Sequence, residues 1–203
     1  MRQFLLISAF FLFFSCGLST LKNLEETQIK DAPQQIENPY FQNLEASVFK
    51  SSINVYGKEV SGILIIKKQE KDISRLAFTT EFGNTLLDIT VMPTGYIKNF
   101  AIAQLDKKII LKTLAADIRT LTASGLKVEK TFRQAEKKVY LTKLNDYQLF
   151  YYCENGNLKE IIKTTKTKEK LKILFEFGED EQVKLINLAH SGIKLNIQLT
   201  PIE

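Results

Sequence analysis

Two cysteines, one histidine and a few well-placed carboxylates are the residues of this 203-residue chain that could carry covalent, acid–base or metal chemistry. Cys16 is the best placed of them. It follows the apolar run of residues 4–14 (FLLISAFFLFF) in the context Phe13-Phe14-Ser15-Cys16-Gly17. A lone early charge at Arg2, an apolar stretch shorter than the about 20 residues of a membrane span, and small residues at its end read as an export signal. A cysteine at the cut site, flanked by Ser15 and Gly17, is the arrangement whose thiol is acylated in bacterial lipoproteins. Residues 1–15 are expected to be the signal peptide and Cys16 the lipidated residue. Each buried acyl CH₂ contributes about 0.8 kcal/mol, and more than one chain gives a stable anchor. Gly17 stands where an aspartate would favour retention in the inner membrane, so the expected location is the outer membrane, facing the periplasm.

The remaining reactive residues read as solitary. With Cys16 acylated, Cys153 has no disulfide partner, and its place in the apolar run 149–153 suits a small core residue. His190 stands near a strand end, before Ser191-Gly192, and reads as a polar terminal residue. Asp88 and Asp117 read as isolated carboxylates, with nothing to pair them for acid–base work. No Gly-x-Ser-x-Gly elbow, His/Cys metal spacing or phosphate-cradling glycine loop occurs. The expectation is a protein that is not an enzyme and uses no cofactor or metal.

The net charge is +5. The densest basic patch is Lys159, Lys163, Lys166, Lys168, Lys170 and Lys172. In an exported protein nucleic acid is not an expected partner, whereas an anionic lipid surface is compatible with this charge. Lysines on solvent faces and strand tips also discourage edge-to-edge pairing.

Short strands must position these residues. Residues 17–38 are polar, contain Pro33 and read as a flexible tether with a short helical piece around 21–29. The folded domain is expected over 39–203. Strand patterns run 44–56, 60–67, 73–80, 85–92 and 96–103, with Gly57, Gly83-Asn84 and Pro93-Thr94-Gly95 at turns, as in an antiparallel meander. The period then changes: Ile110, Leu111, Leu114, Ile118 and Leu121 predict an amphipathic helix over 107–123, capped by Asp106 and ending before Gly125. Residues 126–137 fit no clear pattern. Strands resume at 138–144, 147–153, 158–165, 170–177, 182–190 and 193–200. Ile193, Leu195, Ile197 and Leu199 alternate with Lys194, Asn196, Gln198 and Thr200, which predicts one apolar and one wet sheet face. The fold class is mainly β with one helix. A sheet of about eleven strands must curl or split, and the expectation is a strongly bent, half-open barrel with the helix on its concave side.

The order of these elements, the early strand Ser61-Gly62-Ile63-Leu64-Ile65, the stretch 74–89 and the helix at 107–123 resemble the LolA/LolB-like half-barrel lipoprotein carriers and receptors of the outer membrane, LolB most of all. The resemblance covers about residues 44–125 and, more weakly, 182–203. In the receptor, an apolar residue before a glycine protrudes from the corresponding turn and helps insert an incoming lipoprotein into the membrane. By position this implies Phe82, followed by Gly83. Glu81 stands where the receptor usually has proline, and its Pro- and Trp-containing segment has no counterpart in 127–137.

The resemblance also implies an apolar concavity. Its candidate lining is Leu64, Leu76, Phe78, Leu87, Ile89, Val91, Ile173, Phe175, Leu195 and Ile197; as ordinary strand residues, the same ten would be core. The expected partners are acyl chains of lipoproteins or other amphiphiles, a membrane reached through the anchor, and a soluble periplasmic carrier, for a protein acting as a monomer. The alternative is a structural or assembly lipoprotein with a filled core. A large apolar pocket beside the 81–84 turn would favour the first reading, and a filled interior the second.

Overall fold

The computed structural model describes residues 18–42, 45–70 and 72–202, apart from the side chain of Ser19. Cys16, Gly17 and the expected signal peptide 1–15 lie outside the described residues. The strands are β1 (Glu25–Glu26), β2 (Gln35–Ile36), β3 (Ala46–Val55), β4 (Lys58–Glu70), β5 (Ile73–Thr79), β6 (Thr85–Val91) and β7 (Tyr96–Ala101). After α1 (Lys108–Thr122) come β8 (Leu126–Gln134), β9 (Lys137–Leu144), β10 (Tyr147–Glu154), β11 (Asn157–Thr164), β12 (Glu169–Phe177), β13 (Val183–His190) and β14 (Leu195–Pro201). They form one antiparallel sheet, ordered β1-β8-β9-β10-β11-β12-β13-β14-β3-β4-β5-β6-β7, with β2 also on β8. Its path does not close into a barrel. The mainly β class with one α-helix agrees with the sequence expectation. The strand count is fourteen among the described residues, because β1, β2 and β8 come from stretches that show no clear strand pattern.

The sheet curls around α1. Asp117 bonds Lys163 on β11, while Arg119, two residues on, donates to the carbonyls of Met92 and Gly95 in the β6–β7 turn. On a flat sheet, strands seven places apart would be separated by about 34 Å at about 4.8 Å per strand. One helical turn can reach both only if the sheet wraps round it. Buried Ile110, Leu111, Leu114, Ile118 and Leu121 place the apolar stripe of α1 in the main core, with apolar residues of β3–β6 and β10–β14.

Four local expectations are corrected. Asp106 does not cap α1; Lys107 holds that position without a side-chain bond, and Asp106 pairs with Lys98 Nζ at 2.8 Å. The segment 18–38 is not a free tether. β1 and β2 pair with β8, Lys130 bonds Glu26, and Thr131 Oγ1 donates to the Thr27 carbonyl. Leu18 and Ile29 are buried, so the fold begins upstream of residue 39. No α-helix forms over 21–29, where a single 3-10 turn (Ser19–Leu21) and β1 stand instead.

The fourth concerns the wet face. It holds for β12 and β14, where buried and less buried residues alternate. Over β9–β11 both faces are covered. Leu18 packs with Phe132, Val139, Leu141, Phe150, Tyr152 and Ile162 in a second cluster. Their neighbours Tyr140, Leu149, Tyr151 and Ile161 point into the main core. Runs of consecutive apolar residues, such as 149–153, are what a strand buried on both faces requires.

Candidate functional site

Two concave places and one protruding turn are the features that could do work. The larger hollow is an apolar cleft of about 610 Å³. Pairing between β13 and β14 stops at Ile186↔Leu199, whereas β14 continues beside β3 to Pro201↔Phe49. Beyond that point β13 and β14 part. The gap is lined by Tyr40, residues 46–49 of β3, residues 181–183, Ile186, Pro201 and Ile202. The wall is firm: Phe41 packs on Phe49 with ring centroids 5.6 Å apart, and Tyr40 on Phe175 at 4.9 Å. Tyr40 Oη donates to the Leu158 carbonyl at 3.0 Å. Burial pushes the Tyr40 hydroxyl up to about 12, so it stays a neutral donor. The volume lies within the about 300–1,000 Å³ of small-molecule sites, whose walls are mostly apolar.

The ten residues expected to line a concavity do not line this cleft. Leu64, Leu76, Phe78, Leu87, Ile89, Val91, Ile173, Phe175, Leu195 and Ile197 are all at most 4% exposed and belong to the main core cluster. They face α1 and one another across the curled sheet. The helix occupies the space a concave pocket would need. The cleft lies instead at the strand splay, and residues 81–84 are not in its lining.

Phe82 is 93% exposed. Its turn is tightly closed: Thr80 N–H donates to the Asn84 carbonyl, Gly83 N–H to the Thr80 carbonyl, and Asn84 N–H to Thr80 Oγ1. Gly83 has φ +85°, a left-handed conformation that glycine adopts without strain. Lys50 pairs with Glu81 across the surface at 3.6 Å. The closed turn holds the ring away from the body.

The second hollow, about 260 Å³, lies beside α1 and sets charged groups among partly apolar walls. Asp117, His190 and Lys163 meet at its floor. Lys163 Nζ donates to Asp117 Oδ1 at 3.0 Å, and His190 Nε2 lies 2.7 Å from Asp117 Oδ2. All three side chains are almost fully buried. Burial alone would raise the pKa of Asp117, but the Lys163 charge and the His190 hydrogen bond together hold it below the ordinary carboxylate value. His190 does end β13, but its ring is buried against Asp117 and not solitary, and Asp117 is not isolated. The sequence offered a partial signal: Asp117 falls among the buried apolar positions of α1, where a carboxylate needs a partner.

Asp88 also has partners. Arg75 donates to it through Nε at 3.0 Å and Nη2 at 2.5 Å, and Asn99 Nδ2 at 3.0 Å. The Arg75 hydrogen bond holds its carboxyl below the usual value. This surface pair ties β5 to β6 and borders neither hollow. Cys153 is half-buried on β10, and burial pushes its thiol up to about 11, which suits packing more than reaction.

No family model matches the chain, and no curated protein does. Among solved structures, it is similar to the crystal structure of a DUF1329 family protein from Desulfovibrio piger, at 9% identity and a TM-score of 0.41, over 79% of this chain and 85% of that one.

Proposed function

We propose that this protein is a non-catalytic, lipid-anchored binding module of the bacterial envelope, which seats an acyl chain in the cleft between β13 and the β14–β3 pair. The observation that carries the reading is the cleft itself: an open apolar hollow of about 610 Å³ walled by Tyr40, Phe49, Val183, Ile186, Pro201 and Ile202. Burial of a hydrocarbon there contributes about 25 cal/mol per Å² removed from water. An open site also allows the ligand to leave. Cys16, as a lipidated residue, holds the cleft at a membrane. The exposed Phe82 ring suits entry into the headgroup layer, where aromatic side chains are favoured. With the LolA/LolB-like order of elements, these features support a role in receiving lipoproteins from a soluble carrier and inserting them at the outer membrane.

A second reading rests on the filled interior. Because α1 and the ten candidate lining residues pack into one core, the chain also suits a structural or assembly lipoprotein whose outer surface meets a partner. Photo-crosslinking separates the two. With a photoreactive phenylalanine analogue at Val183, the full chain should label with an acylated peptide, and with the analogue at exposed Lys138 it should not. Equal labelling at both positions, or none at Val183, removes the acyl-binding role and leaves the assembly role.

A further inference from the structure

The hollow beside α1 carries an uncompensated charge. His190 Nδ1 lies 3.0 Å from the Leu195 carbonyl oxygen, which can only accept, so Nδ1 bears a proton. His190 Nε2 lies 2.7 Å from Asp117 Oδ2. Two lone pairs cannot face each other at that distance, so a second proton lies between them. Whether that proton is assigned to the ring or to the carboxyl, His190 and Asp117 together are neutral. Lys163 is then left without a net counter-charge.

Its ammonium is deeply placed, with the side chain 6% exposed. One of its three N–H donors goes to Asp117, and the Tyr147 ring centroid is 5.6 Å away. Among the described residues it has no other hydrogen-bond partner. A buried cation with unused donors is costly unless an anion or other acceptors meet it. Lys112 from α1 and Lys170 from β12 line the same hollow, and neither is ion-paired among the described residues. Asp117 is the sole carboxylate in that lining.

We propose that this hollow binds a phosphate group. Three lysines reach it from three different elements, and Ser191 adds a hydroxyl at the rim. A tetrahedral anion has oxygens enough to accept from all of them, whereas a planar carboxylate presents two. His190 is fully engaged in holding Asp117, so Lys163, Lys112 and Lys170 make the contacts. The hollow shares no lining residue with the apolar cleft, and the phosphate site stands independently of acyl binding.

The test uses the full chain in detergent, titrated with inorganic phosphate and followed by thermal melting and calorimetry. The melting midpoint should rise saturably with phosphate, because a ligand that binds only the folded state stabilises it. Lys163→Met should abolish the rise. The double variant Lys112→Met/Lys170→Met should melt as the wild type does without phosphate and bind it about tenfold more weakly. If Lys163→Met does not fold, the double variant decides alone. No saturable rise in the wild type, an equal rise in the double variant, or the same rise with sodium chloride at matched ionic strength overturns the proposal. Short-chain phosphatidic acid and phosphatidylcholine identify the source. Tighter binding of phosphatidic acid than of inorganic phosphate assigns the site to a lipid headgroup, and binding of inorganic phosphate alone assigns it to the free ion.

Discussion

Asp117 Oδ2 lies 2.7 Å from His190 Nε2, across 73 positions of sequence. This contact and the Lys163 bond join α1 to β13 and β11 through buried polar groups. They set the helix against one wall of the curled sheet, while Arg119 fixes it to the β6–β7 turn on the other.

Asp117→Asn should cost about 3–5 kcal/mol, the range for removing one member of a buried ion pair. Urea unfolding measures it. The pH dependence has a definite sign. The folded-state pKa of Asp117 is depressed, so its stabilisation is complete above the unfolded carboxylate value of about 3.9 and is lost as pH falls through the lower folded value. Melting from about pH 6 down to about pH 2 should show that loss in the wild type and less of it in Asp117→Asn.

Gly62→Ala should destabilise the β4–β5 pair. A Cβ at Gly62 would run into the Thr79 carbonyl oxygen and come within 3.3 Å of Phe78 Cε2. Backbone must move, at a cost of about 1–3 kcal/mol or more. A lowered urea midpoint checks it, and an unchanged midpoint would mean that the strands are free to separate.

Phe82→Glu should leave unfolding within about 0.5 kcal/mol of wild type, because the ring touches little of the body. In vesicle transfer assays, the same variant should insert lipoprotein more slowly. Loss of stability would instead make Phe82 a packing residue.

Leu18→Ala should release the N-terminal segment from the outer face of β8–β11. The truncated side chain packs on Phe132 and Phe150, and such deletions cost about 2–5 kcal/mol. Limited trypsin digestion reads the release as faster cleavage at Lys22 and Lys30.

Cys153 should react slowly with thiol reagents in the folded chain. Burial raises its pKa to about 11, which leaves little thiolate at neutral pH. Labelling should accelerate on unfolding, where the value returns to about 8.5.

Much of the meander was legible because alternation and turn residues are local signals. Leu195, Ile197 and Leu199 read as inward-facing and are buried. The helix was legible from its spacing; it has already ended at Ala123, whose ψ is 134°, and the positive φ of Gly125 belongs to the turn into β8. What the sequence concealed depends on distant partners. β8 alternates weakly because most of its residues stay exposed or half-buried and only Phe132 is buried, in the cluster with Leu18, and β1 and β2 are strands only because β8 offers an edge. Asp106 had a cap's chemistry, but Lys98 on β7 competes for it. The ten apolar positions were located correctly as inward-facing. Whether they lined space or filled it depended on where α1 came to rest. The charged floor needed three elements to converge, and Lys163 read as one more surface lysine among its neighbours.

Leu18 stands two residues beyond Cys16 and is already locked beneath the sheet. On the proposed reading, with Cys16 acylated, two residues span at most about 7 Å from lipid to body. A protein anchored so would have no leash on which to swing across the periplasm. Its body would lie flush with the headgroups, with β8–β11 nearest the attachment point. On that proposal, a carrier would have to descend to the bilayer surface for any transfer.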